Sequence, residues 1–242
     1  MNISGKVALV TGSSRRIGRA IAIELGRRGA AVGIHHRSAD SRPAAEETLE
    51  LVRQAGGDGR VFQAELTDLR QVQSMLDALM SAFARLDILV NNASVFSPAG
   101  ADETTEALWD EQLDSNAKAP FFLSQQAARL MQKGKIINLA DVAGEVVWPA
   151  YLAYSVSKAA LIAVNRGLAK TLAPDIQVNA IAPGPVLFPE YYDDAQKRAA
   201  IQRTLLKREG SPADIVNAAM FLIENDYLTG ELIHVDGGRH VI

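Results

Sequence analysis

The sequence predicts an α/β domain with a doubly wound sheet of about seven mainly parallel strands and helices on both faces. Three observations lead there. Seven short runs rich in Val, Ile, Leu and Ala recur along the 242 residues. These runs are close to continuously apolar, as strands buried on both faces must be. Stretches of helical periodicity separate them, and that alternation builds parallel sheets through crossover helices.

The elements follow in order. "KVALVTG" near residue 6 is the first strand, and a helix runs from about Arg16 to Arg28 with Ile17, Ile21 and Leu25 on one face. "AAVGIHH" near 30, "RVFQAEL" near 60, "LDILVNNA" near 86 and "GKIINLA" near 134 supply the next four strands. The helix "YSVSKAALIAVNRGLAKTL" precedes strand "IQVNAIAPG" near 176, and "ELIHVDGG" near 231 is the last strand. Ser211 before Pro212 caps an amphipathic helix over "SPADIVNAAMFLI". No linker, repeat or low-complexity segment divides the chain, so residues 1–242 are expected to form a single Rossmann-type domain.

Composition excludes several functions. Lys plus Arg number 25 against 28 Asp plus Glu, a net charge of −3, which gives no overall basic field for nucleic acid. The absence of cysteine rules out a disulfide framework and a thiolate metal site and fits a reducing compartment. No apolar run of about 18 residues and no signal-peptide layout is present. A cytoplasmic protein with no membrane partner and no metal is expected.

"TGSSRRIG", residues 11 to 18, joins the first strand to the first helix, where a phosphate-cradling turn belongs. Gly12 permits the tight turn, and Gly18 lets the helix approach the sheet or a pyrophosphate. Arg16 stands where such a turn usually carries a second glycine. At the end of the second strand an NAD site would offer a carboxylate to the ribose 2′-hydroxyl. Here His36, Arg37 and Ser38 follow, with no acid before Asp40. Arg37 and Ser38, with Arg15 from the turn, can gather donors around a 2′-phosphate, which favours NADPH over NADH. The cofactor-facing half is therefore placed at about 1–140 and the catalytic half at about 141–242.

Tyr154 and Lys158 in "YSVSK" are four residues apart and share a helix face. A nearby ammonium favours phenolate, so the tyrosine pKa is expected to move down from about 10 toward working pH. Asn92, Asp141 and Pro183 fall just past strand ends, where open α/β sheets hold ligands. "VLFPEYYDDAQKRAAIQRTL", 186 to 205, follows Pro183 and Gly184 and suits a substrate cover, or else a plain helical connection.

These motifs, in this order, make the chain similar to the short-chain dehydrogenase/reductase family over essentially its whole length. The residues that carry the resemblance are the turn at 11–18, "NNAS" at 91–94, Asn116 in "SNAKAP", Tyr154 with Lys158, "PG" at 183–184 and "VDGG" at 235–238. The resemblance implies that Tyr154 is the acid and that Lys158 binds nicotinamide ribose while tuning it. It also implies that Asn116 holds a proton-relay water. Asn92, Ala93 and Ser94 would contact the cofactor, together with Ile17 in the turn, Glu65 and Leu66 after the third strand, and Pro183 and Gly184. A homotetramer is the family expectation.

Two departures from the general pattern sharpen the expectation. Arg16 replaces the middle glycine, and Asp141, thirteen residues before Tyr154, stands where most members carry a substrate-orienting serine. An aspartate can make a charge-assisted contact to an amino-substituted heterocycle and assist protonation of a ring nitrogen. Together with His36 to Ser38 and Phe96 in "NNASVF", these residues resemble the pteridine reductase branch, which includes dihydromonapterin and dihydrofolate reductase-like members. The resemblance implies that Phe96 and the nicotinamide sandwich a pterin and that Arg16 reaches both pyrophosphate and pterin, with Ser94, Asp141 and Tyr154 completing the substrate contacts. A generic NADPH-dependent carbonyl reductase, such as a 3-oxoacyl-carrier-protein reductase, is the alternative enzyme. A non-catalytic NADPH-binding sensor is the alternative from another class.

Overall fold

Val7–Val10 (β1) is buried at all four positions, and the reason is its place near the middle of a seven-stranded sheet. The computed structural model describes residues 1–242. Its other strands are Ala31–His36 (β2), Asp58–Gln63 (β3), Ile88–Asn91 (β4), Gly134–Leu139 (β5), Ile176–Pro183 (β6) and Leu232–Val235 (β7). They lie in the order β3-β2-β1-β4-β5-β6-β7, and every adjacent pair is parallel.

Alternation along each strand sorts side chains into two layers. Ala8, Val10, Ile34 and Val90 face one side with Ile21 and Leu25 of helix Arg16–Arg27 (α1) and Val52 of helix Arg42–Gln54 (α2). Ile215 and Ile223 of helix Pro212–Glu224 (α8) close that layer. Val7, Leu9, Leu89 and Ile136 face the other side with Leu76 of helix Leu69–Phe83 (α3), Leu123 of helix Ala119–Ala128 (α5) and Leu168 of helix Leu152–Leu172 (α6). Glu106–Leu113 (α4) runs through a wide π turn, Asp114–Lys118, into α5. The capped helix expected after Ser211 is Pro212–Glu224 (α8), and Ser211 makes the capping box with Asp214.

Polar groups inside this sheet are paired across elements. Asn91 donates to Asn138 Oδ1 at 2.8 Å, Asn138 to Asn165 Oδ1 at 3.0 Å, and Asn165 to the Glu231 carbonyl at 3.1 Å. A buried amide without a partner is costly. The chain of amides therefore fixes β4, β5, α6 and the approach to β7 relative to one another.

The sheet order reverses where β1 parts from β4, and both carboxyl ends open there. Strand ends differ from the expected runs in a useful way. β4 stops at Asn91, so Asn92 leaves the sheet, and α6 starts at Leu152, so Tyr154 sits in its first turn. Residues 186–205 contain helix Asp194–Gln202 (α7), which has no buried residue. No helix is long and apolar enough to cross a membrane.

Candidate active site

The turn after β1 is gripped from both neighbouring strands. Gly12 adopts φ +60°, and a Cβ there would stand 2.9 Å from Ala93 Cα. Asn92 donates its side-chain amide to the Thr11 carbonyl at 2.8 Å and to the Gly12 carbonyl at 3.1 Å, while Thr11 Oγ1 accepts the backbone N–H of Asn92 and of Ala93. Gly18 must also be glycine, because its Cβ would fall 2.5 Å from Asn92 Nδ2 and 2.6 Å from the Gly12 carbonyl oxygen. Ile17, between them in the first turn of α1, is partly buried against the core. The start of α1 has no side-chain cap and no acidic residue in its first turn. A glycine cradle facing uncapped helical N–H groups fits a pyrophosphate.

His35 holds this turn from β2. Its Nδ1 accepts the Gly12 N–H at 2.9 Å, and its Nε2 donates to the Ala64 carbonyl at 3.0 Å. That pairing selects one neutral tautomer. Burial of the ring lowers its pKa to about 4. Sequence reasoning passed over His35, although two consecutive histidines in an otherwise apolar strand were a signal that one must be hydrogen-bonded inside.

Arg16 keeps the backbone geometry of the glycine it replaces, at φ +55°. Its guanidinium reaches across the cleft and donates to the carbonyl of Leu187. The turn is thereby tied to the chain that follows β6. At the end of β2 the residues divide. His36 is buried and donates from Nδ1 to the Ser38 carbonyl at 2.9 Å, which braces the loop. Arg37 is exposed and paired with Glu65, while Arg15 is exposed with no partner in the chain. Burial raises the Glu65 pKa, but hydrogen bonds from Thr67 and Arg37 outweigh it and hold the carboxyl below its ordinary range. Leu66 is buried in the core, which leaves its backbone as the group available to a cofactor.

Tyr154 and Lys158 lie one helical turn apart on α6, and both are at most 5% exposed. The Tyr154 hydroxyl donates to Asp141 Oδ2 at 2.9 Å, and Asp141 Oδ1 accepts the Ala143 N–H at 2.8 Å as the cap of a short turn after β5. Lys158 Nζ donates to the Leu139 carbonyl at 2.8 Å and stands 5.6 Å from the Tyr154 ring centroid. The expected lowering of the tyrosine pKa is reversed. Burial and the Asp141 carboxylate hold the phenol well above its ordinary range. Burial also lowers Lys158 to about 8 and raises Asp141. All three shifts have desolvation as their first cause, which the residue spacing could not express.

Asn116 sits on the inner side of the π turn. Its Oδ1 accepts Ser94 Oγ and the Val95 N–H, each at 2.9 Å, and its Nδ2 donates to the Val95 carbonyl and to Ser157 Oγ. The side chain is fully engaged within the protein, so a relay water would meet its backbone. Phe96 is brought beside Tyr154, edge-on at 4.6 Å, but one face of the ring is covered by Tyr151, stacked at 4.4 Å. Tyr151 in turn meets Tyr192 hydroxyl to hydroxyl at 3.0 Å. No motif in the sequence pointed to this aromatic wall, because Tyr151 and Tyr192 meet only in the fold. Pro183 ends β6, and Gly184 packs so closely that a Cβ would lie 2.6 Å from Asp236 Cα.

A family model described as enoyl-(acyl carrier protein) reductase matches residues 12–240. A 3-oxoacyl-[acyl-carrier-protein] reductase, FabG, of Staphylococcus aureus is 36% identical over 98% of each chain. The angucycline C-6 ketoreductase LanV, solved with bound NADP, superposes with a TM-score of 0.93 at 34% identity, over 100% of this chain and 98% of its own. FolM alternative dihydrofolate reductase 1 of Brucella canis, complexed with NADP, superposes with a TM-score of 0.92 at 31% identity, over 100% of this chain and 96% of its own.

Two outcomes follow from the turn. His35 binds a proton less readily folded, at about 4, than unfolded, at 6.5, so its contribution to stability is complete above 6.5 and lost as pH falls through about 4. The full loss is about 3 kcal/mol. Urea denaturation of His35→Gln should lack that part of the acid slope and show about 1–2 kcal/mol less stability at neutral pH. Arg16→Gly relieves a left-handed side-chain residue, worth at most about 1 kcal/mol. Titration by NADPH fluorescence should find cofactor affinity largely kept.

Proposed function

The chain belongs to the short-chain dehydrogenase/reductase family, and on that premise we propose that it is an NADPH-dependent reductase acting on a pterin, converting a dihydropterin to its tetrahydro form. The observation that carries this reading is the hydrogen bond from Tyr154 to Asp141, 2.9 Å long, which couples a carboxyl group to the acid of the site. The likeness to the Brucella canis FolM protein supports the same reading.

The cradle at Gly12 and Gly18 and the uncapped start of α1 suit a pyrophosphate, and unpaired Arg15 with Arg37 and Ser38 suits a 2′-phosphate. Asn92, Ala93, Ser94, Pro183 and Gly184 border the nicotinamide side. When bound, NADPH supplies the hydride. The protein supplies the proton. Tyr154, kept as a phenol by burial and by Asp141, gives its proton to the ring nitrogen beside the reduced carbon. The Lys158 ammonium stabilises the phenolate left behind. Asp141, itself raised by burial, accepts a hydrogen bond from the pterin's amino edge, and a proton taken up from solvent through its carboxyl group reprotonates Tyr154. Phe96 and Tyr151 give a flat bicycle an aromatic surface. We assign the protein to the cytoplasm as a homotetramer on family resemblance.

A generic NADPH-dependent carbonyl reductase is the second reading, favoured by the FabG and ketoreductase likenesses. It accounts for Tyr154 and Lys158 but gives Asp141 no task.

Tyr154→Phe should lower kcat about 100- to 10,000-fold with NADPH affinity retained, as expected on removal of a general acid; unchanged turnover would sink the assignment. Asp141→Ser should abolish NADPH oxidation with dihydrobiopterin and dihydromonapterin while an acetoacetyl thioester is still reduced or reduced faster. Equal loss on both substrate classes would argue against a pterin-specific role for Asp141.

A further inference from the structure

The C-terminal "VDGG" builds a turn that presents one residue to the cleft. Asp236 accepts the N–H of Gly238 at 2.9 Å and of His240 at 2.7 Å, and its Oδ2 also pairs with His240 Nδ1 at 2.8 Å. Gly237 and Gly238 take left-handed φ of +66° and +80°, and the Gly237 carbonyl accepts Leu205 N–H and Leu206 N–H from the chain that follows α7. Arg239 lies within this braced turn.

Arg239 is 8% exposed, and its guanidinium stacks 4.5 Å from the Trp148 ring centroid. It makes no side-chain hydrogen bond and no ion pair, yet none of its nitrogens is sealed from solvent. The carboxylates that face it are already engaged: Asp236 serves the turn and His240, and Asp141 serves Tyr154 and Ala143. Arg203, at the end of α7, adds a second positive charge rather than a counterion. Trp148 also leaves its indole N–H buried without an acceptor. A cation this buried with no committed partner is costly unless something else completes it. An unbroken aromatic path, Tyr154, Phe96, Tyr151 and Trp148, connects it to the reacting centre.

We propose that Arg239 anchors an oxyanion group on the tail of the substrate, at the far end of the aromatic path that begins at Tyr154. The inference deepens the assignment of this cleft to a reductase and selects, among pterins, those bearing an anionic tail over those with a neutral side chain. The donor set is two-sided, a stacked guanidinium with open N–H groups, and it matches a carboxylate or a phosphate.

The test is steady-state kinetics of the full chain with NADPH and two matched pairs: dihydrofolate against dihydrobiopterin, and acetoacetyl-CoA against ethyl acetoacetate. The first member of each pair carries an anionic tail, carboxylate or phosphate respectively. For whichever pair is turned over, Arg239→Gln should raise KM for the anionic member about 10- to 100-fold and leave kcat within about twofold. Both constants for the neutral member should stay unchanged, and Arg239→Lys should recover part of the loss. Turnover of the carbonyl pair alone would remove the pterin assignment and still decide the anchor. Calorimetry of p-aminobenzoylglutamate binding to the NADP-loaded protein makes the same comparison without turnover. Equal effects on both members of a pair, no effect on the anionic one, or equal affinity of the wild type and Arg239→Gln for p-aminobenzoylglutamate overturns the anchor.

Discussion

The close approach of the ends of β1 and β4 is the constraint on which the site depends. Gly12 and Ala93 come within a distance that admits no Cβ on Gly12, and Gly18 is equally confined by Asn92. Asn92 and Thr11 exchange hydrogen bonds across the gap. One contact therefore fixes the floor of the cofactor turn, the direction of α1 and the exit of the chain toward Ser94 and Phe96. His35 repeats the grip from β2, so the turn is held on both sides by groups with no freedom to rotate. Pre-organisation of this kind means that a bound phosphate would not have to order the loop that receives it.

Burial decides the chemistry at the other end of the cleft. Tyr154 and Asp141 share a hydrogen bond, Lys158 lies one helical turn away, and each of the three is shifted first by loss of water. Desolvation favours the neutral form of every member. The phenol stays protonated, the carboxyl is raised and the ammonium falls to about 8. A tyrosine held as phenol is in the form that donates. In the proposed reaction the aspartate would take part in proton transfer, whereas a serine at that position would only direct a carbonyl.

Much of this was legible in sequence. The seven strands, their parallel sense and the placement of Asn92, Asp141 and Pro183 at strand ends follow from continuous apolar runs separated by helical periods. The four-residue spacing of Tyr154 and Lys158 placed them on one helix face. What spacing could not carry was direction and environment. The contact of Arg16 with Leu187, far along the chain, has no counterpart in the motif. Nor does the pattern say that the His36 ring turns inward or that His35 is the histidine that holds the turn. Phe96 landed beside Tyr154, yet the ring stacked on it comes from Tyr151, far along the chain.

By itself the sequence determined the layered architecture, the family motifs and the residue types available for phosphate binding and proton transfer. These depend on local pattern: apolar period, glycine at a tight turn, two side chains one helical turn apart. Tertiary structure alone decided which groups lose water and which charges remain without partners. The high phenol pKa of Tyr154, the single tautomer of His35 and the uncommitted guanidinium of Arg239 each arise from residues distant in sequence closing around one side chain. Desolvation and pairing are properties of a packed neighbourhood, and a linear pattern does not contain them.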